Sequence, residues 1–339
     1  MLNIVHICPD GTPASGVNCF CTELNRALNH SGKAKSEVCR AFDPREFHGR
    51  KELVFHIHGI WHRVQHRAAA WARRNKIPVI WSTHGMTAPW SMRHKAIKKF
   101  VAWWAFARWD LLRANVIHST TETEREWNSR LGLESGAVVP LGTYLPALDQ
   151  SAALLPRHRF AVLFVGRLHP VKGLENLLQA AKLTASEVCF RIVGPDENGH
   201  INRLKALVSS LALESRVMFV GPKYGDELSQ EYANSDLLVL PSFTENFGGV
   251  VVNALAHARP VIASRFTPWR ELELERCGWW VDNSPAQLAQ AISSAALLPR
   301  SELLEMGARG RALVESRYAW SAVAERMFLV YKEAIENEK

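Results

Sequence analysis

Two cations, one carboxylate and a glycine pair stand at the ends of strand-like runs, where they could handle a phosphorylated sugar. In "GRLHPVKGLENLLQAA" (166–181), Gly166, Arg167 and Lys172 occupy a turn, and Gly173 stands where a helix begins. Two fixed positive charges beside the free N–H groups of a helix N-terminus suit a diphosphate. In "FTENFGGVVVNAL" (243–255), Glu245 comes before Asn246, Phe247 and the pair Gly248–Gly249, and Asn253 follows one turn into the next helix. Glycines there let a ligand come close to the backbone, and the helix dipole favours a contact with phosphate or sugar. A glutamate would be repelled by a diphosphate, so Glu245 makes sense only facing hydroxyl groups, as of a bound sugar.

These residues must be positioned by strands. Strand and helix signals alternate along the chain, the pattern of βα units with parallel sheets. In the first half the strand candidates are "NIVHIC" (3–8), "SEVCRAF" (36–42), "LVFHIHG" (53–59), "PVIWSTHG" (78–85), "NVIHST" (115–120) and "AVVPLG" (137–142). Thr121 with Glu124 three positions on reads as a capping box. The pattern restarts with "FAVLFVG" (160–166), "CFRIVG" (189–194), "RVMFVG" (216–221), "DLLVLPS" (236–242), "PVIAS" (260–264) and "GWWVD" (278–282), short apolar runs expected of strands covered on both faces. Ser284, Pro285 and Gln287 open a helix, and two long helical segments close the chain, roughly 300–316 and 320–336. The expected architecture is α/β, two doubly wound Rossmann-like domains facing across a cleft. The expected boundaries are 1–148, a linker at 149–159, a nucleotide-binding domain at 160–319, and a last helix (320–339) crossing back to the first domain. In such sheets ligands sit beyond the carboxyl ends of the strands, where these motifs fall.

Composition narrows the classes. With 47% hydrophobic and 22% charged residues, the 339-residue chain is globular and long enough for two cores. No apolar run approaches the length that spans a bilayer, and "MLNIVHICPDG" reads as a buried strand rather than a leader, so a cytoplasmic location is expected. Residues 1–148 hold 20 Lys+Arg against 11 Asp+Glu, whereas the remainder holds 21 against 22. Eight of the 12 tryptophans also lie in the first half, several in "SMRHKAIKKFVAWWAFARWDLLR" (91–113). Basic residues interleaved with tryptophan suit an anionic membrane surface, here the inner face of the plasma membrane; an amphipathic helix packed on its own domain explains them equally well. No nucleic-acid motif accompanies the basic charge, and "CPDGTPASG" does not supply the G-x-G-x-x-G of a nicotinamide oxidoreductase. The cysteines at 8, 19, 21, 39, 189 and 277 are scattered and read as buried and structural. His6, His56, His58 and His62 invite a metal reading, but no carboxylate or cysteine is evident in the sequence to complete a shell, so no metal is expected.

Taken together, "GRLHPVKG", "PSFTENFGGVVVNALA" and "FTPWRELELERCGWWVD" resemble the donor-binding motifs of retaining glycosyltransferases of family 4, which have the GT-B fold. In the first half, "PASGVNCF" (13–20) resembles their first loop, "FHIHGIW" (55–61) their second-strand histidine segment, "STHGMTAPW" (82–90) the loop of polysaccharide-assembling members, and "VVPLGT" (138–143) the end of the first domain. The resemblance covers essentially the whole chain in order. It implies metal-independent transfer of a sugar from a nucleotide diphosphate, UDP or GDP, with retention of configuration and no cofactor. The implied acceptor is a glycan, polyprenyl-diphosphate-linked, in surface polysaccharide assembly.

By this resemblance Arg167 and Lys172 neutralise the donor diphosphate, and Glu245 binds hydroxyls of the donor sugar. The backbone near Asn246, Phe247, Gly248 and Gly249 supports sugar and phosphate, and Gly16 with Val17 reaches the diphosphate from the first domain. The nucleobase lies along Gly194–Pro195 and Gly221–Lys223. His84, with His58, Gly85 and Met86, lies on the acceptor side. Three positions depart from the family pattern: Asn253 where a second glutamate contacts the ribose, Ser15 where a glycine is common, and Phe266 where a small residue is common. Asn253 is compatible with weaker donor binding, a different donor or a degenerate site. A noncatalytic nucleotide-binding partner and a nucleotide-sugar isomerase of the same fold therefore stand as alternatives.

Overall fold

The structure, a computed structural model, describes residues 1–9, 16–93, 96–134, 136–148 and 159–336. Ser15, Lys95 and nearly all of the expected linker lie outside the described residues. The chain forms two compact units, Met1–Gly142 with Tyr318–Lys339, and Thr143–Arg317.

The first unit is built on β1 (Leu2–Ile7), β2 (Ala34–Cys39), β3 (Leu53–His58), β4 (Val79–Ser82), β5 (Val116–Ser119) and β6 (Gly136–Val138). All pairings are parallel, in the order β2-β1-β3-β4-β5-β6. Leu2, Ile4, Phe20, Leu24, Val54 and Ile80 pack on one face with Trp320, Val323, Met327 and Tyr331 of the helix Trp320–Glu336. That helix is part of the first unit's core although it lies at the far end of the sequence. Gly142 shows how closely it packs: a Cβ there would stand 2.4 Å from the Trp320 ring.

The second unit repeats the plan with β7 (Phe160–Val165), β8 (Val188–Val193), β9 (Val217–Gly221), β10 (Leu237–Leu240), β11 (Val261–Ser264) and β12 (Gly278–Val281). Its parallel order is β12-β11-β10-β7-β8-β9. The twelve strands overlap the twelve strand-like runs read from the sequence; the central ones are buried on both faces and almost wholly aliphatic and aromatic, whereas the edge strands β2 (AKSEVC) and β6 (GAV) are partly exposed.

Each sheet has a point where the strand order reverses: β1 beside β3 in the first, β7 beside β10 in the second. There the connections after adjacent strands diverge to opposite faces and leave a crevice beyond the carboxyl ends, the usual ligand position of open α/β sheets.

Candidate functional site

At the reversal point of the second sheet, the loops after β7 and β10 are drawn together. Phe243 N–H donates to the carbonyl of Val171 at 2.8 Å. Gly173, in the left-handed region at φ +67°, sits so close to the other loop that a Cβ would come 2.1 Å from the carbonyl oxygen of Pro241. No side chain other than hydrogen fits there, and this approach lets the ends of the two loops meet. Lys172 and Glu245 form an ion pair across the gap, each mostly enclosed, with side chains 16% and 12% exposed. Ser242 Oγ donates to the same carboxylate oxygen at 2.8 Å, so Glu245 is fixed by two donors.

The other predicted donor residues divide into two groups. Gly166 and Gly194 lie together, and a Cβ on Gly194 would stand 1.9 Å from the Gly166 carbonyl oxygen. Gly194 N–H donates to Gly221 and Leu168 N–H to Pro195, so Pro195 and Gly194 belong to one laced rim. Gly248 takes φ +79° and caps the helix Gly249–Ala256. Arg167, by contrast, is not part of the Lys172–Glu245 pair: it pairs with Glu197 at 2.5 Å and is 57% exposed. Lys223 pairs at 3.1 Å with Glu227 in the helix Gly225–Ala233 that follows it. Phe247 is core, with its ring edge-on to Trp269 and its carbonyl accepting from the Trp269 indole. Asn253 is half-buried, and its side-chain oxygen accepts from Thr143 Oγ at 2.7 Å. A tie to residue 143 was not legible in the sequence. Phe243 and Phe266, both exposed, approach to 6.4 Å between ring centroids beside this loop, also unforeseen.

The first sheet's reversal point carries a different chemistry. Its register sets His6 opposite His56, His58 opposite Ser82, and Ser82 opposite His118. Two hydrogen-bonded rows result. In one, Tyr331 Oη lies 2.7 Å from His56 Nδ1, His56 Nε2 2.6 Å from Ser82 Oγ, Ser82 Oγ 2.6 Å from His118 Nδ1, and His118 Nε2 2.8 Å from the Val139 carbonyl. A carbonyl can only accept, and a neutral imidazole has one donor and one acceptor. The direction is therefore fixed throughout: Tyr331 donates to His56, His56 to Ser82, Ser82 to His118, and His118 to Val139. In the other row, His6 Nδ1 meets His58 Nε2 at 2.9 Å and His58 Nδ1 meets His84 Nε2 at 3.0 Å. Its inner end, His6 Nε2, is buried and finds no partner among the described residues, so this row is free to run in either direction.

Loss of water drives all five rings toward the neutral form. Burial pushes His6 down to about 3, and holds His56 and His58 well below the ordinary histidine range, with neighbouring imidazoles adding to the effect. His118 is likewise lowered by burial, and His84 is pushed down to about 4 despite the opposing charge of Glu124.

His84 takes φ +50° and Gly85 φ +70°, a turn that a non-glycine residue adopts only when held. Glu124 does the holding. Its Oε1 accepts from Thr83 Oγ and Gly85 N–H, and its Oε2 from Thr120 N–H and Oγ. Burial raises the carboxyl, but these donors outweigh it and keep it below its usual value. The sequence reads Glu124 as half of a capping box. Thr121 Oγ does accept from Glu124 N–H at 3.0 Å, and the Glu124 side chain also ties Thr120 at this helix start to the His84 loop, a brace that the sequence does not show.

The expectation that no cysteine joins the histidines is corrected. Cys21 Sγ and ring nitrogens of His6 and His58 all lie within 4.8 Å of one another, whereas His62 is exposed at a helix start. The helix Gly16–His30 folds Cys21 back over β1, which spacing alone could not reveal. Cys19, also read as buried, is exposed. Gly16 and Val17 open that helix, and Met86 packs against Gly59.

Comparison with known proteins bears on both halves. Residues 9–142 match the family described as a glycosyl transferase 4-like domain, and residues 159–296 match glycosyl transferases group 1. A D-inositol 3-phosphate glycosyltransferase of Corynebacterium glutamicum is 33% identical over 198 residues, covering 54% of this chain and 46% of that protein. The chain spans 40–51% of the length of such relatives. Among solved structures, sucrose-phosphate synthase from Thermosynechococcus elongatus covers 99% of this chain and 100% of its own at 21% identity, with a TM-score of 0.79. Anabaena HepE in complex with UDP-glucose covers 98% of this chain and 100% of its own at 18% identity, with a TM-score of 0.75. With both halves matched in order and the two parallel sheets in place, the chain belongs to the group 1 (family 4) glycosyltransferases and has the GT-B fold.

Proposed function

We propose that this chain is a retaining glycosyltransferase that moves a sugar from a nucleotide diphosphate to a glycan acceptor. The observation that carries the reading is the Lys172–Glu245 pair at the reversal point of the second sheet. It puts a cation and a carboxylate side by side where a ligand with both a diphosphate and hydroxyl groups would be bound. A donor entering there replaces Glu245 as the partner of Lys172 with its diphosphate, and offers sugar hydroxyls to the carboxylate that is released. UDP-sugars are the favoured donors, in keeping with the UDP-glucose held by HepE; GDP-sugars are the other choice.

Catalysis then rests on charge placed in advance. As the bond from the anomeric carbon to the phosphate oxygen breaks, negative charge grows on the diphosphate, and Lys172, the rim N–H groups and a reoriented Arg167 stabilise it. The acceptor oxygen forms its bond on the same face, and its proton passes to the departing phosphate oxygen, so configuration is retained and no base is required. His84 suits this scheme because burial keeps it neutral. It can orient a sugar hydroxyl, but it is too weak a base at neutral pH to deprotonate one. Asn253 Oδ1 already accepts from Thr143, which leaves its second lone pair and its amide N–H groups for a ribose hydroxyl. The acceptor class, a polyprenyl-diphosphate-linked glycan of surface polysaccharide assembly, rests on the "STHGMTAPW" loop, which Glu124 holds in shape.

The test is thermal unfolding of the wild type and Lys172→Ala with UDP, GDP, ADP and uridine. A ligand that binds only the folded state raises its apparent stability. Stabilisation by UDP or GDP but not by uridine, lost in Lys172→Ala, is expected. No response to any diphosphate, or the same response in both proteins, would overturn the reading.

A further inference from the structure

The helix Ala96–Ala102 continues through a π-helical turn, Trp103–Ala107, into Arg108–Leu111. Its inward side is conventional, with Trp103, Ala107 and Leu111 buried in the first unit's core. Its outward side is not. Ile97, Phe100, Val101 and Trp104 are 83%, 64%, 60% and 51% exposed. Their spacing of three, four and seven places them on one helical face, so they form a continuous apolar stripe rather than scattered exposed residues. Trp90, Trp109 and Leu112 are exposed as well.

Within residues 90–113 the exposed charges among the described residues all have one sign. Arg93, Lys98 and Arg113 are exposed, and Arg108 lies over the rings of Trp104 and Trp109 at 5.3 and 5.7 Å. Lys99 is used internally, donating to the Ser91 carbonyl at 2.6 Å and lying over Trp61. Between residues 90 and 113 the sequence has one carboxylate, Asp110, which is buried and held by His66 and Arg73 at 2.7 Å each. An acid turned inward and bases turned outward around an apolar stripe make a surface complementary to negative charge overlying hydrocarbon.

We propose that this face docks on an anionic phospholipid surface, with Ile97, Phe100, Val101 and Trp104 entering the headgroup–acyl boundary and Arg93, Lys98, Arg108 and Arg113 meeting the phosphates. A second copy of the chain is a poorer occupant. A two-fold contact through the same face would set these cations against their own copies. The proposal stands apart from the transferase reading, because docking needs neither donor nor acceptor.

The experiment is co-sedimentation of the full chain with vesicles of phosphatidylcholine, with and without phosphatidylglycerol, for the wild type, Phe100→Ser/Trp104→Ser and Lys98→Glu/Arg113→Glu. The wild type is expected to bind the phosphatidylglycerol vesicles, less at high salt, and the pure phosphatidylcholine vesicles weakly or not at all. Each double variant should lose about tenfold or more in vesicle affinity, with its unfolding temperature and nucleotide response unchanged. Three results would overturn the proposal: no binding by the wild type, equal binding by wild type and variants, or a dimer by light scattering that the Phe100→Ser/Trp104→Ser variant abolishes. The nucleotide response reports on the donor site separately, so vesicle binding and transferase activity can fail independently.

Discussion

The two units share a topology but place opposite chemistry at the same position. At the reversal point of the second sheet a charged pair, Lys172–Glu245, closes two loops, and the strands behind it are aliphatic. At the reversal point of the first sheet, five histidines and a serine lie in rows across the strands, all neutral. A charged site can trade its internal partner for an anionic ligand. A neutral hydrogen-bonded site can orient hydroxyl groups without competing for the anion. The fold thus supplies two equivalent positions, and the side chains decide what each does.

The largest test of that contrast is acid. An unfolded histidine takes up a proton as pH falls below about 6.5. In the folded first unit His6 stays neutral to about 3 and His84 to about 4, with His56, His58 and His118 also lowered. Stability is therefore fully present above the unfolded value and is lost as pH falls below it. With about five protons taken up on unfolding, the slope reaches several kcal/mol per pH unit. The second unit has no comparable cluster of buried histidines among its described residues; burial lowers His257. Hydrogen exchange followed between neutral pH and pH 4.5 should show the first unit losing protection before the second. Simultaneous loss in both would remove the contrast.

Next in size is the charged pair. Glu245→Gln should lower transfer by about 10²–10³-fold while leaving UDP or GDP affinity nearly unchanged, since the carboxylate addresses the sugar. Steady-state kinetics with calorimetry separate these quantities; a parallel loss in both would place Glu245 on the diphosphate. The smallest effect belongs to Arg167. Its resting pair with Glu197 is a surface one worth at most about 1 kcal/mol, so Arg167→Ala should leave stability unchanged within error and weaken nucleoside diphosphate binding less than Lys172→Ala. An Arg167→Ala loss exceeding that of Lys172→Ala would reverse the ranking.

How far the sequence foretold this depends on range. The central strands were legible because burial on both faces leaves an unbroken apolar run, while the bounds of the partly exposed edge strand β2 were read a few residues late. Lys172 and Glu245 were singled out through local context, a cation before a helix and an acid before glycines. Their contact was not, since it depends on Gly173 seating against Pro241. The histidine rows were invisible for the same reason. His6, His56 and His118 are far apart in sequence, and only the parallel register aligns them. Glu124 was read only as part of a helix cap, because its second task as a brace of the His84 loop joins residues 39 and 41 positions apart. The bond from Thr143 to Asn253 joins residues 110 positions apart and so was also invisible in the sequence.

The second unit is one uninterrupted stretch, Thr143–Arg317, while the first is completed only by Tyr318–Lys339. Domains usually mature on the ribosome in the order of synthesis; here the order is reversed. The N-terminal sheet emerges first but lacks Trp320, Met327 and Tyr331, the side chains that cover one face of it and supply the first donor of its histidine row. The second unit can close while the chain is still being made, and the first must wait until the helix Trp320–Glu336 has followed it.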